Sequence, residues 1–242
     1  MSETDALGPV LRAENLSRVF DDRVAPITAV ACVSLQVSPG ELLVIRGRSG
    51  SGKTTLLNLL GGLDRPTEGT VWLGELELSA ASEDRLVQVR RRDLGFIFQT
   101  FGLVPVLSAA ENVELPLRLL EVEPAERDAR VAELLDRVGL AEHAAQRPSE
   151  LSGGQQQRVG IARALAVTPR VLFADEPTGQ LDSLTGAAMM DLLVGLVHDE
   201  GVAAVVTTHD PMLMQRADRV LELHDGRLRH PVGRHVAGAA TR

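Results

Sequence analysis

The chain has 242 residues, of which 44% are hydrophobic and 24% charged, and these values predict one globular domain with a sizeable buried core. The net charge of −8 and the aromatic content of 2% disfavour a nucleic-acid binder, which would need a basic face and aromatic stacking platforms. We therefore expect no nucleic-acid partner. The single cysteine, Cys32, excludes a disulfide within the chain and fits a reducing compartment.

Nothing in the sequence predicts a membrane span or a secretory signal. The longest candidate, GAAMMDLLVGLV, is interrupted by Asp191 and falls short of the roughly 18 consecutive apolar residues that a membrane helix needs. The first ten residues, MSETDALGPV, lack the basic region that begins a signal peptide. We expect any membrane role to depend on a partner chain.

The first part of the chain predicts two kinds of strand. Apolar and polar residues alternate from Val33 to Val37, as in a strand with one solvated face. We interpret residues 10–46 and 69–79 as contributing a small, mostly antiparallel sheet. Residues 42–45 form a continuous apolar run, and two similar runs at 171–174 and 202–206 predict strands buried on both faces in a parallel α/β sheet.

A phosphate-binding loop follows the run at 42–45. The segment GRSGSGKT matches the pattern G-x-x-x-x-G-K-[ST] and lies between a predicted strand and a predicted helix, which is the context the motif requires. Its glycines let main-chain N–H groups surround phosphate oxygens, Lys53 adds a charge for the β- and γ-phosphates, and the Thr54 hydroxyl can ligate Mg²⁺. The predicted nucleotide contacts in this loop are Gly47, Arg48, Ser49, Gly50, Ser51, Gly52, Lys53, Thr54 and Thr55.

The middle of the chain predicts helices. Residues 125–138 carry apolar side chains at helical spacing and precede Gly139, which can end a helix. LSGGQQQRVGIARAL begins another helix, whose first residues Ser152, Gly153 and Gly154 offer bare main-chain N–H groups to an anion. The chain therefore has two phosphate-binding helix starts, which one ATP cannot easily explain within one protomer. A head-to-tail dimer with ATP at its interface explains both.

Two apolar strands end in side chains suited to hydrolysis. The apolar strand in VLFADEP ends in Asp175, which can hold Mg²⁺, and Glu176, which can act as the general base. The alternative is an acid pair that caps the next segment. His209 ends the next predicted strand, in AAVVTTHD. We assign it to the γ-phosphate and to the orientation of Glu176, and the alternative is a structural, hydrogen-bonding histidine. The other histidines are interpreted as surface residues: His143, His198, His224, His230 and His235.

In their order and spacing, the motifs GRSGSGKT, LSGGQ, VLFADE, TGQLD and TTHD resemble the ATP-binding cassette family over nearly the whole chain. The resemblance implies a P-loop NTPase (RecA-like) core, an N-terminal antiparallel β subdomain and an inserted helical subdomain at about 100–155. It implies one nucleotide-binding domain over residues 1–242, with a loosely ordered tail at 230–242. It adds Gln99 as a magnesium ligand and as a catalytic residue, together with Glu176, His209 and Lys53. It also implies that Phe20 stacks on the adenine and that Gln155 and Asp182 contact the nucleotide.

Longer segments, among them GGLDRPTEGTVWLG and RPSELSGGQQQRV, resemble ATPases of the macrolide-efflux and lipoprotein-release group. Thr54 replaces the more usual serine, and Gln180 replaces the more usual asparagine. The resemblance implies ATP-driven export or lipoprotein release by paired cassettes, held on the cytoplasmic membrane face by a separate transmembrane permease. The alternatives are a slow ATPase that signals through a permease-like partner to the cell envelope and a soluble, non-transport ATPase.

Two segments allow two interpretations each. RLVQVRRRD, residues 85–93, is typical of a solvated helix face, and the alternative is a local basic patch. FGLVPVLSA, residues 101–109, is uncharged and either packs on the domain's own core or forms a groove for a short helix of the permease. The apolar residues that would form this groove are Leu103, Val104, Val106 and Leu107.

Overall fold

The structure is a computed structural model that describes residues 8–21 and 25–229, apart from the side chains at positions 183, 184 and 212. The tail at 230–242, with His230 and His235, lies outside these residues. The strands are β1 (Leu11–Phe20), β2 (Ile27–Val37), β3 (Leu42–Arg46), β4 (Glu68–Leu73), β5 (Leu76–Glu77), β6 (Leu94–Ile97), β7 (Val171–Asp175), β8 (Ala203–Thr207), β9 (Arg219–His224) and β10 (Arg227–Arg229). The α helices are α1 (Lys53–Leu60), α2 (Glu83–Arg92), α3 (Ala109–Leu119), α4 (Pro124–Arg137), α5 (Gly153–Leu165), α6 (Ser183–Glu200) and α7 (Pro211–Arg216).

The smaller sheet is antiparallel and has the strand order β2-β1-β4-β5. The N-terminal antiparallel sheet is therefore present, but the predicted boundary at residue 46 is wrong. Residues 42–46 leave this sheet and join the larger one. The physical reason is burial: Leu42 to Ile45 are fully buried, and only a strand covered on both faces can bury four consecutive side chains.

The larger sheet has the strand order β10-β9-β3-β8-β7-β6, and all its neighbouring pairs are parallel except β9 and β10. Successive residues of its strands alternate between two hydrophobic clusters. Leu43 and Phe173 pack in the cluster beneath the antiparallel sheet, whereas Leu42 and Leu172 pack in the cluster shared with the helices. The predicted parallel α/β core is thus confirmed, and the carboxyl ends of β3, β7 and β8 lie at one edge.

The helices α3, α4 and α5 pack together beside the larger sheet. The helix predicted at 125–138 is observed as α4, and Gly139 follows it with a left-handed φ of 69°. Residues 101–108 are not helical. They are connected to α3 by the buried amide of Asn112, which bonds the main chain at Val104, Leu107 and Ser108. Within the described residues, no helix combines the length and the apolar character that crossing a membrane demands.

Candidate functional site

A cleft opens where the carboxyl ends of the parallel strands meet. Several predicted site residues lie here together, contributed by the loop after β3, the loop after β6 and the ends of β7 and β8. The residues that line the cleft are Ile27, Thr28, Ala29, Gly47, Arg48, Ser49, Gly50, Gly52, Lys53, Thr54, Thr55, Gln99, Glu176, Gly179 and His209.

The loop between β3 and α1 has a backbone that only glycine fits at two positions. Gly52 has a φ of 99°, and a β-carbon there would lie 2.1 Å from the carbonyl oxygen of Ala29. A β-carbon at Gly47 would lie 2.4 Å from the carbonyl oxygen of Leu223. No side chain caps the N-terminus of α1, so its first N–H groups stay available to an anion. The Ser51 hydroxyl is buried without a partner, so the loop still has polar groups for a phosphate to satisfy.

Lys53 extends back into this loop. Its Nζ donates to the carbonyl oxygens of Gly47 (2.8 Å) and Arg48 (3.2 Å), and lies 3.3 Å from Oε1 of Glu176. The residue is only 8% exposed, so the ammonium group is an almost buried cation at the centre of the loop. Such a charge is well placed to bind phosphate oxygens.

Asp175 lies at the tip of β7 between two hydroxyl groups. Thr54 Oγ1 donates to Oδ2 of Asp175 at 2.7 Å, and Thr207 Oγ1 donates to Oδ1 at 2.6 Å. A carboxylate next to a hydroxyl, both beside a phosphate-binding loop, is the type of oxygen set that Mg²⁺ uses with nucleotides. These residues therefore fit a magnesium ion. The contribution of Thr207 was not identified from the sequence, where only the TT pair before His209 could have indicated it.

Glu176 has a strained backbone and a carboxylate held at both oxygens. Its φ is 45°, a left-handed value that costs energy in a non-glycine residue. Its N–H donates to the carbonyl and the hydroxyl oxygens of Thr207, both at 3.1 Å. Oε2 lies 2.9 Å from Nδ1 of His209, and the carboxylate side chain is 15% exposed whereas the His209 side chain is 77% exposed. The carboxylate is thus oriented towards the cleft.

Gln99 enters the cleft from the segment after β6, which we call the Gln99 loop (residues 98–102). A β-carbon at Gly179 would lie 3.1 Å from Gln99 Nε2, so this loop borders the turn after β7. Phe101 and Gly102 both have left-handed backbones, with φ of 59° and 60°. Arg163 of α5 donates to the carbonyl oxygens of Gly102 (2.6 Å) and Phe101 (3.2 Å), and burial lowers the pKa of its guanidinium. Sequence reasoning missed this anchor.

Comparison with known proteins agrees with this geometry. A sequence profile of the ABC transporter family matches residues 30–179. The lipoprotein-releasing system ATP-binding protein LolD of Bordetella pertussis is 44% identical over 228 residues, covering 94% of this chain and 99% of that protein. The macrolide export ATP-binding/permease protein MacB of Salmonella typhimurium is 45% identical over 216 residues, covering 89% of this chain and only 33% of that protein. In structure, the chain is similar to the ATP-binding cassette MJ0796 in a dimeric post-hydrolysis state with ADP and Pi, with a TM-score of 0.84, 41% identity and coverage of 91% of this chain and 97% of that one.

The chain belongs to the ABC transporter family. It is an ATP-binding and ATP-hydrolysing cassette, and its mixed parallel and antiparallel architecture is that of the solved cassette. It spans about a third of the length of the MacB relatives, whose name includes a permease, and nearly the whole of the LolD relative.

Residues 152–155 of the LSGGQ motif, at the start of α5, lie apart from the cleft of their own chain. Ser152 caps α5: its hydroxyl accepts from the N–H of Gln155 (3.3 Å), and the Gln155 side chain accepts from the N–H of Ser152 (2.8 Å). A β-carbon at Gly154 would lie 2.7 Å from Thr185 Cγ2, which explains the glycine. None of the residues 152–155 lines the cleft that Lys53 occupies. The two predicted phosphate-binding helix starts therefore do not meet within one chain.

Phe20 and Asp182 also lie outside the cleft lining, as do Ser51 and Asp175. Phe20, at the end of β1, is 38% exposed, and the Arg18 guanidinium lies 4.4 Å from its ring centroid. Its ladder partner Ile27 does line the cleft, so Phe20 lies near the cleft margin. Asp182 accepts from the N–H of Thr185 at 3.0 Å at the start of α6. Sequence reasoning missed residues 27–29 because nothing in them resembles a motif.

The described histidines that were interpreted as surface residues differ in their exposure. His143 is half-buried, with Nδ1 2.8 Å from Oε1 of Gln146 and Nε2 3.2 Å from Nε2 of Gln155. The reason is tertiary, because the segment after α4 folds back against the start of α5. His198 is exposed, and His224 is 38% exposed and 3.0 Å from the Asp225 carboxylate.

Proposed function

We propose that this cassette is the peripheral ATPase subunit of a transporter with a separate permease, and that two cassettes close head to tail around two ATP molecules. One observation carries the dimer: residues 152–155 lie outside the cleft of their own chain, so only a second chain can bring them to the nucleotide. The dimeric MJ0796 structure bound to ADP and Pi and the LolD relative support this arrangement. We propose a single nucleotide-binding domain, in which α3, α4 and α5 form the helical subdomain.

The phosphates bind within residues 47–55, where Lys53 exchanges its carbonyl partners for phosphate oxygens. Thr54, Asp175 and Gln99 would hold Mg²⁺, which would neutralise phosphate charge when bound. Phe20 stacks on the adenine. To hold the ion, Thr54 would give up its hydrogen bond to Asp175, and both groups would then be free to face it.

Glu176 acts as the general base and orients the attacking water. His209 positions one carboxylate oxygen and contacts the γ-phosphate, and Lys53 lies beside the other. The second cassette contacts the γ-phosphate with the start of its α5, through Ser152, Gly153, Gly154 and Gln155. Asp182 contacts the nucleotide beside them. Preorganised donors of this kind lower the barrier because they stabilise the charge that develops in the transition state, by about 3–4 kcal/mol for a single donor.

The permease docks in a groove between α2, α3, α5 and the Gln99 loop. Its apolar lining includes Phe98 and Leu119, which are 42% and 50% exposed, and its basic rim includes the exposed Arg91. Next to it, Arg91 and Arg92 line a second depression and form no ion pair within the described residues. A short helix with apolar side chains and an acidic end is complementary to this surface.

This placement modifies the docking surface expected from residues 101–109. Leu103 packs against the domain's own core, whereas Val106 is 72% exposed. The apolar floor comes mainly from Phe98 and α3, which the sequence did not indicate. The run at 85–93 supplies arginines to the rim rather than only a solvated face. We propose that docking here holds the cassette at the cytoplasmic membrane face and powers export or lipoprotein release.

Two variants test this proposal. Lys53→Ala removes the charge at the centre of the loop, so we expect ATP affinity to fall more than tenfold in a calorimetric titration. An affinity within about threefold of wild type would contradict the phosphate-loop assignment.

Glu176→Gln keeps the shape of the base but cannot accept a proton. We expect this variant to bind ATP and Mg²⁺, to lose hydrolysis, and to accumulate as a dimer visible by light scattering. A variant that stays monomeric at saturating ATP would exclude the closure mechanism. A pull-down with this variant from solubilised membranes then identifies the partner, and recovery of a polytopic protein supports the transporter.

A further inference from the structure

Gln157, one turn into α5, is a polar side chain without polar partners. It is fully buried, and neither its amide nitrogen nor its carbonyl oxygen has a hydrogen-bond partner. Within residues 8–21 and 25–229, the other buried side-chain atoms without a hydrogen-bond partner belong to groups with another explanation. Ser51 belongs to the phosphate loop, and Arg127 and Arg216 form ion pairs with acids. In this part of the chain, Gln157 is thus the one complete polar group left unsatisfied away from the nucleotide.

Its position on the helix shows what it faces. A β-carbon at Gly153 would lie 3.6 Å from Phe101 Cζ, and one at Gly160 would lie 3.4 Å from the Phe101 carbonyl oxygen. On another face of the helix, a β-carbon at Gly154 would lie 2.7 Å from Thr185 Cγ2. At about 100° per residue, Gln157 lies between the face occupied by Gly153 and Gly160 and the face occupied by Gly154. A β-carbon at Gly153 would also lie 3.7 Å from Leu181 Cδ2. Gln157 therefore lies between the Gln99 loop on one side and Leu181 and Thr185, around the start of α6, on the other.

Both neighbouring segments belong to the nucleotide site. Gln99 Nε2 would lie 3.1 Å from a β-carbon at Gly179, so the Gln99 loop and the turn at 179–182 border each other beside the cleft. The carbonyl groups of Phe101 and Gly102 are bonded to Arg163 in this state, and Phe101 has a strained left-handed backbone. A rearrangement of this loop would release carbonyl acceptors next to an amide that lacks a partner.

We propose that Gln157 is a positioning residue, whose amide gains its hydrogen bonds from the Gln99 loop and the 179–182 turn when the cassette closes on nucleotide. The proposal rests on the ATP-driven closure proposed above. A buried amide without partners destabilises the open state, and the same amide fully bonded stabilises the closed one. Gln157 would in this way favour closure without touching ATP.

The test replaces the amide by an apolar side chain of similar length, Gln157→Met, in the Glu176→Gln chain. Because the open state loses only an unsatisfied group, its melting temperature without nucleotide should stay equal or rise by about 2–4 °C. ATP affinity, measured at protein concentrations below dimerisation, should stay within threefold. The dimerisation constant with ATP and Mg²⁺, measured by light scattering, should weaken at least tenfold.

The matched control is Gln156→Met, on the preceding residue of the same helix. The Gln156 amide already donates to the Leu151 carbonyl oxygen at 3.1 Å, so this change should not raise the melting temperature or weaken dimerisation tenfold. For Gln157→Met, a lower melting temperature without nucleotide, or an unchanged dimerisation constant, would overturn the inference. Failure of the parent Glu176→Gln chain to dimerise would refute the proposed closure itself, which separates the two outcomes.

Discussion

Asn112 is the side chain whose removal we expect to damage the helical region most. It is fully buried in α3 and accepts a hydrogen bond from the Val104 N–H at 2.8 Å. Its amide nitrogen lies 3.2, 3.1 and 2.9 Å from the carbonyl oxygens of Val104, Leu107 and Ser108. These bonds hold residues 104–108, which have no helical structure of their own, against α3.

Asn112→Ala should lower the free energy of unfolding by about 3 kcal/mol. An amide has two donor hydrogens, so the contacts amount to three full hydrogen bonds at about 1 kcal/mol each. For a domain of this size the loss corresponds to a decrease of roughly 6–12 °C in melting temperature. ATP affinity should change less than about threefold, since Asn112 does not line the cleft.

Urea unfolding, followed by circular dichroism, measures this loss, and an unchanged slope with denaturant confirms that stability alone has changed. Ser108→Ala is the matched control, because it removes only the exposed helix cap at 3.2 Å and should cost about 1 kcal/mol. If Asn112→Ala costs no more than this control, the amide does not hold the segment and the reasoning is refuted.

Further predictions concern the phosphate loop and the ion pairs at the end of α6. Gly52→Ala should abolish measurable ATP binding in a calorimetric titration, because the loop must distort; retained binding would contradict this. Gly195→Ala, whose β-carbon meets nothing within 4 Å in α6, should instead stabilise the chain by about 0.5–1 kcal/mol. Burial alone would raise the pKa of the Glu200 carboxyl, but hydrogen bonds from Arg130 and Arg137 hold that pKa below its ordinary value. The carboxylate's contribution to stability is therefore complete above the ordinary pKa, and it is lost as the pH falls through the lowered pKa. The stability difference between wild type and Glu200→Gln should therefore be larger at neutral than at strongly acidic pH in urea unfolding, and a difference independent of pH would exclude this role.

Much of the site was predictable because its signals are local. The phosphate loop at 47–54 needs glycines at fixed positions, a lysine and a hydroxyl, and each requirement is visible in the sequence. The acidic pair at 175–176 and His209 follow apolar runs, so their place at the strand ends follows from the parallel sheet. The positions of Thr207 and Arg163 beside these groups were not predictable, since a hydroxyl or an arginine has no distinctive spacing.

The sequence by itself determined the fold class, the family and the residues that can bind a nucleotide, because these depend on short-range patterns of burial, glycine and charge. Only the tertiary structure decided which of these residues share a cleft. It brought Lys53, Glu176 and His209 together and left residues 152–155 apart, and it buried Gln157 without a partner. Such facts depend on which faces of distant elements meet, and that choice is made by the packing of the whole chain.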